Sequence, residues 1–103
     1  MLSKGADIEA GDSFNDTPLM MASYEGRAPV VKALLDRGAN INRQDKNKYT
    51  ALHWAVRNNQ QAVVKILIER GADRRLRNSD NKTPLDYARE LGYKSIQNYL
   101  SSL

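Results

Sequence analysis

The chain has 103 residues, 41% of them hydrophobic and 27% charged, with a formal net charge of +4. That is one small domain's worth of sequence, too apolar for disorder, and no stretch approaches the roughly 18 apolar residues a spanning helix needs. Zero cysteines and a single histidine, His53, exclude disulfide frameworks, thiolate or multi-histidine metal sites and cysteine nucleophiles, so neither metal nor cofactor is expected.

The opening Met1-Leu2-Ser3-Lys4-Gly5-Ala6-Asp7 lacks the apolar core of a secretory signal. An intracellular, cytoplasmic chain is therefore expected, with export as part of a longer protein left open. Gly5-Ala6-Asp7 returns 33 places on as Gly38-Ala39-Asn40, and again as Gly71-Ala72-Asp73. Thr17-Pro18-Leu19 falls on Thr50-Ala51-Leu52 and on Thr83-Pro84-Leu85 in the same register. Ala22, Ala55 and Ala88 share a column, as do Val30, Val63 and Ile96, and Leu34, Leu67 and Leu100. Three blocks in one register are a repeat.

One period can be read from residues 45–77. The polar stretch Asp45-Lys46-Asn47-Lys48-Tyr49 precedes Thr50, whose hydroxyl suits the N-cap of a short helix running to about Asn58. Leu52, Ala55 and Val56 give that helix an apolar stripe. Asn59, in a column with Gly26 and Gly92, can take the left-handed conformation that ends it. A second helix is expected from about Gln61 to Arg70, ending at Gly71; its counterpart begins near Pro29, where a missing N–H is harmless. Such a helix–turn–helix unit cannot bury both apolar faces alone, so the units must stack.

The 33-residue period, the strings T-P-L-M-M-A, T-A-L-H-W-A and T-P-L-D-Y-A, and the Gly-Ala-Asp/Asn loops resemble the ankyrin repeat over essentially the whole chain. The resemblance implies an all-α solenoid of stacked helix–turn–helix units with projecting β-hairpin-like loops. Residues 1–11 look like the tail of one repeat, 12–44 and 45–77 like two full repeats, and 78–103 like a C-terminal cap. Gln97 and Ser101, where the other repeats hold valine, leucine or isoleucine, suit an end that no neighbour covers. At the other end the first repeat starts inside its second helix. That suggests the C-terminal piece of a longer array, the preferred reading, or a face covered by something else; a monomer is expected, with a dimer through the truncated face left open.

The implied function is binding of another protein through the concave groove and the loop fingers, without catalysis. Carried over repeat by repeat, the finger tips present Ser13, Phe14 and Asp16, then Lys46, Asn47 and Tyr49, then Ser79, Asp80 and Lys82. The first helices present Tyr24, Glu25, Arg57, Asn58 and Glu90, and Arg37 and Arg70 close the rim. Tyr49 and Tyr24 read as partner contacts, and Phe14 equally as contact or finger packing. Trp54, in a column with Met21 and Tyr87, reads as core, and Met20-Met21 as adaptable core filling. In the family's histidine column, His53 is expected to brace neighbouring loops. Asn42 resembles the finger asparagine hydroxylated in some animal ankyrin repeats. The finger column that favours glycine holds Asn15, Lys48 and Asn81, which puts strain on Lys48.

Charge is uneven. Residues 1–36 hold three bases against six acids, residues 37–77 ten against three, and residues 78–103 three of each. Arg74, Arg75 and Arg77 form the densest basic run. An acidic patch on the partner, met by these and by Arg37, Arg57 and Arg70, is the favoured reading. A nucleic-acid surface is the alternative, lacking an aromatic stacking platform beside the arginines, and a purely structural scaffold segment is another. Carboxylates such as Asp12 and Asp45 share a column, on a surface expected to keep them hydrated and ordinary.

Overall fold

A computed structural model describes residue 9 and residues 11–103. The tail assigned to residues 1–11 therefore lies, apart from Glu9 and Gly11, outside the described residues. Among those described there are six helices and no strand. They form three pairs: α1 (Pro18–Glu25) with α2 (Ala28–Asp36), α3 (Ala51–Arg57) with α4 (Gln61–Glu69), and α5 (Pro84–Leu91) with α6 (Lys94–Ser101).

Each first helix starts on its threonine. The hydroxyls of Thr17, Thr50 and Thr83 accept from the backbone N–H three residues on, satisfying one of the free donors of the first turn. In α3 and α5 that third residue reciprocates. His53 Nδ1 and Asp86 Oδ2 accept from the Thr50 and Thr83 N–H groups, at 3.2 and 2.9 Å. The bond from the Thr83 N–H holds the Asp86 carboxyl below the usual carboxylate range. Gly26 and Gly92 end α1 and α5 at φ 74°, and Asn59 follows α3 at φ 57°.

The pairs stack in register, α1 on α3 on α5 and α2 on α4 on α6. Leu19, Leu52 and Ala88 of the first helices and Val31, Val63, Val64, Leu67 and Ile96 of the second are almost wholly buried. The core is thus a strip along the stack, and nearest-neighbour interfaces carry the stability. Gln97 is half-buried and Ser101 exposed, which suits polar side chains at that end of the strip.

The finger before each pair is built on one residue. Asp12 Oδ1 accepts from the N–H groups of Phe14 and Asp16, Asp45 Oδ1 from Asn47 and Tyr49, and Asn78 Oδ1 from Asp80 and Lys82. The Lys46 N–H donates to the Phe14 carbonyl and the Ser79 N–H to the Asn47 carbonyl, both at 2.9 Å, which ties each finger to the next.

Asn15, Lys48 and Asn81 all adopt φ near 60°, the left-handed conformation the glycine column requires. Lys48 pays for this with crowding at its Cβ, and its amide and carbonyl bonds need no side chain. Lys48→Gly is expected to raise stability by about 0.5–1 kcal/mol, the relief of strain exceeding glycine's entropy cost. Urea melts would show a higher midpoint at unchanged slope; a lower midpoint would mean the lysine side chain itself holds the finger.

Candidate interaction surface

The finger tips turn Ser13, Phe14, Lys46, Asn47, Ser79 and Asp80 to solvent, with Phe14 57% exposed. The residue just before each capping threonine behaves differently. Asp16, Tyr49 and Lys82 occupy this column, and it leans onto the neighbouring first helices.

Tyr49, expected at the surface as a partner contact, is only 8% exposed. Its ring stacks on Trp54 with centroids 4.4 Å apart and planes at 25°. Its hydroxyl lies 2.8 Å from that of Tyr87 and accepts from Arg57 Nη1 at 3.0 Å, while Asn78 Nδ2 donates to the Tyr87 hydroxyl at 2.7 Å. Burial, with the Tyr87 hydroxyl second, pushes the Tyr49 phenol up to about 12. The reason for the correction is direction: the second finger hands this side chain to α3 and α5 rather than to solvent. Lys82, next in the column, binds Glu90 at 2.6 Å and sits 5.6 Å above the Tyr87 ring. The Glu90 carboxylate holds its ammonium above the usual lysine range.

Asp16 brings a second correction. Asp45, expected to be hydrated, is buried and accepts from Trp54 Nε1 at 3.3 Å. Asp16 Oδ1 is buried beside it with no N–H or O–H donor. Desolvation, then the hydrogen bond and charge of Asp45, then the charge of Asp12, push the Asp16 carboxyl up to about 7. Asp16 is thus the carboxyl that keeps its proton toward neutral pH, because ionising it beside a second carboxylate and partly out of water is costly.

Asp16 also lines a cleft of about 310 Å³ together with Met20, Met21, Tyr24, Glu25 and Trp54. Tyr24 is 50% exposed and meets Trp54 edge-on, with centroids 5.7 Å apart and planes at 81°. Of the residues expected in the core, Met20 and Tyr87 are buried there. Met21 is 44% exposed and Trp54 only half-buried. Met21 borders the open cleft, whereas Trp54 and Tyr87 of the same column pack against Tyr49. Glu25 pairs with Arg27 at 2.6 Å, an exposed contact worth little.

The arginines have different surroundings. Arg57 stands 5.7 Å from the Tyr49 and Trp54 ring centroids, and its neighbour Asn58 donates to the Trp54 carbonyl at 3.0 Å. Arg70 pairs with Asp36 at 3.0 Å, and Arg37 is exposed. Arg74, Arg75 and Arg77 line a different cleft of about 460 Å³, with Arg89, Thr83, Leu85, Leu100, Ser101 and Leu103. Arg75 and Arg77 are partly engaged by Asp73 and by the Asn81 carbonyl; among the described residues no hydrogen bond or ion pair holds Arg74 or Arg89. The Arg75 amide and guanidinium in turn hold the Asp73 carboxyl below its usual range. Sequence reasoning missed Arg89 and Leu85, which only stacking brings beside the Arg74–Arg77 loop, and it missed the cleft at Met21.

His53 braces neighbouring loops as its column implies, and Asn42 also takes part in the fold. His53, fully buried, lies 2.8 Å from the Thr50 hydroxyl through Nδ1 and 2.8 Å from the Lys82 carbonyl through Nε2, so it braces the next finger. Asn42 Oδ1 accepts from the Asp73 N–H at 2.8 Å, linking consecutive loops. Glu9, one period earlier, does the same for the Asn40 N–H at 2.7 Å.

Among the described residues no group of three histidine, aspartate or glutamate side chains could hold a metal ion, and no helix is long and apolar enough to cross a membrane. A family model described as ankyrin repeats, three copies, matches residues 1–78 and 44–102. No curated protein matches the chain.

Proposed function

We propose, from the premise that the chain belongs to the ankyrin-repeat family, that it is a non-catalytic module that binds another protein on its first helices and finger tips. Ankyrin repeats are generally protein–protein interaction modules. The observation that carries the reading for this chain is the exposure of Phe14, Met21 and Tyr24. Each is a large apolar side chain that folding leaves in water, and aromatic and methionine side chains are enriched where interfaces close. Affinity capture with the wild type and with a Phe14→Ala, Met21→Ala, Tyr24→Ala variant tests it. The variant should fold normally and lose the retained protein; an unchanged retained set would place the contact elsewhere.

The proposal extends to an acidic patch on the partner. Arg74, Arg75, Arg77 and Arg89 surround apolar side chains in one cleft, an arrangement that accepts carboxylates beside aliphatic groups. Among the described residues that lining holds no aromatic ring on which a base could stack, which favours protein over nucleic acid. Binding should weaken at least several-fold between low and moderate salt, since exposed charges are screened within a Debye length of about 10 Å at 0.1 M. An affinity indifferent to ionic strength would remove the arginines from the interface. Hydroxylation of Asn42 belongs to the same proposal as a modification of the loop it braces, to be sought by mass spectrometry of the native protein.

A further inference from the structure

We propose that the cleft between α1 and α3 receives a lysine or arginine side chain of the partner, with Tyr24 and Trp54 against its stem and Asp16 and Glu25 at its charge. This deepens the protein-binding reading and rests on it.

The lining decides the occupant. Its walls are Met20, Met21, Tyr24 and Trp54, and among the described residues its charged side chains are Asp16 and Glu25. In a chain of net charge +4, this cleft is acidic while the arginine cleft at the other end of the stack is basic. An anionic side chain would face two carboxylates, with Asp12 and Asp45 behind them. A purely apolar side chain would seal Asp16 from water without giving it a donor, which is costly. A long cationic side chain meets every demand at once: aliphatic stem on methionine and aromatic surface, charge near the aromatic rings and the carboxylates. The Arg27–Glu25 pair is too exposed to compete strongly.

Binding of that kind is coupled to a proton. Asp16 holds its proton up to about 7, so near neutrality an incoming cation meets a mixture of the acid and the carboxylate. The charged side chains on the elements around it are Asp12 of its own finger, Glu25 of α1, Asp45, Lys46 and Lys48 of the second finger, and Arg57 of α3. Of these, Asp45 and Asp12 are the ones that raise it. A cation favours the ionised form, so binding expels the proton and tightens as pH rises from 6 to 8.

The test is selection of a displayed random 12-residue peptide library on the intact chain at pH 8 and low salt, followed by titrations of individual synthetic peptides. Trp54 is the only tryptophan, so its fluorescence reports on the cleft directly. Selected peptides that shift Trp54 should share a lysine or arginine, and replacing it by norleucine should weaken binding at least ten-fold. Asp16→Asn should weaken it several-fold and abolish the rise in affinity between pH 6 and 8. Tyr24→Ala should weaken it at both pH values. Peptides that shift Trp54 without a basic residue, or whose affinity ignores Asp16→Asn, overturn the inference. Acidic peptides that need Arg74 and Arg89 instead would leave the protein-binding reading standing while this inference fell. Retention of no peptide at all would count against both.

Discussion

Replacing His53 by alanine is expected to lower stability by about 3–5 kcal/mol, the largest loss from any polar side chain in the stack. The imidazole is fully buried and bridges two units. Thr50 donates its backbone N–H to Nδ1 at 3.2 Å, so the ring proton belongs on Nε2, which donates to the Lys82 carbonyl at 2.8 Å. Alanine leaves the cavity of the ring, a carbonyl with no donor and an N-terminal amide with no acceptor, and the unit that loses them is only two short helices. Chemical denaturation should show the drop; a loss below about 1 kcal/mol would mean that water or a shifted finger replaces both bonds. Acid should imitate the variant in part. Burial holds the His53 imidazole below its ordinary value of 6.5. The unfolded chain therefore binds a proton at a pH where the native one does not. This stabilising contribution is complete above 6.5 and is lost as pH falls through and below that value.

Much of this fold was legible because each repeat spells its own start and stop. Thr-Pro-Leu and Thr-Ala-Leu mark a cap and a first turn, and Gly26, Asn59 and Gly92 mark a left-handed exit, both of them local properties of the chain. The bracing role of His53 was readable for the same reason, since its column carries it. What lay beyond reach was side-chain direction across repeats. Tyr49 looks like a finger-tip aromatic from its neighbours Lys46, Asn47 and Lys48. Only the placement of Tyr87, two helices on, shows that its hydroxyl has a buried bond waiting. Met21 and Trp54 share a column yet differ in cover, because cover depends on what the adjacent unit contributes. The basic run at Arg74–Arg77 was plain in sequence, but its association with Arg89 and Leu85 rather than with the groove is a property of the stack.

The acids show the same limit with the largest consequence for pH. Asp16 and Asp45 are 29 positions apart and unremarkable in sequence, yet stacking places them together, out of full contact with water. The isostere Asp16→Asn is expected to stabilise the protein by about 1–2 kcal/mol at pH 8 and to change little at pH 3.5. The raised pKa, from 3.8 to about 7, sets the direction. Between those values the native state holds a proton that the unfolded chain has released, so wild-type stability declines as pH rises from about 4 to about 7, then stays level. A full shift of that size would correspond to about 4 kcal/mol, and the water that still reaches Asp16 reduces it. Asparagine keeps a donor toward Asp45 and cannot ionise, so the variant should lack the decline. Because His53 acts in the opposite sense below 6.5, the wild-type profile alone mixes the two effects. The difference between variant and wild type isolates Asp16. Should that difference be the same at pH 3.5 and pH 8, Asp16 does not hold its proton toward neutrality. The proton-coupled part of cation binding would then have to be abandoned, while the aromatic corner of Tyr24 and Trp54 would still be there to test.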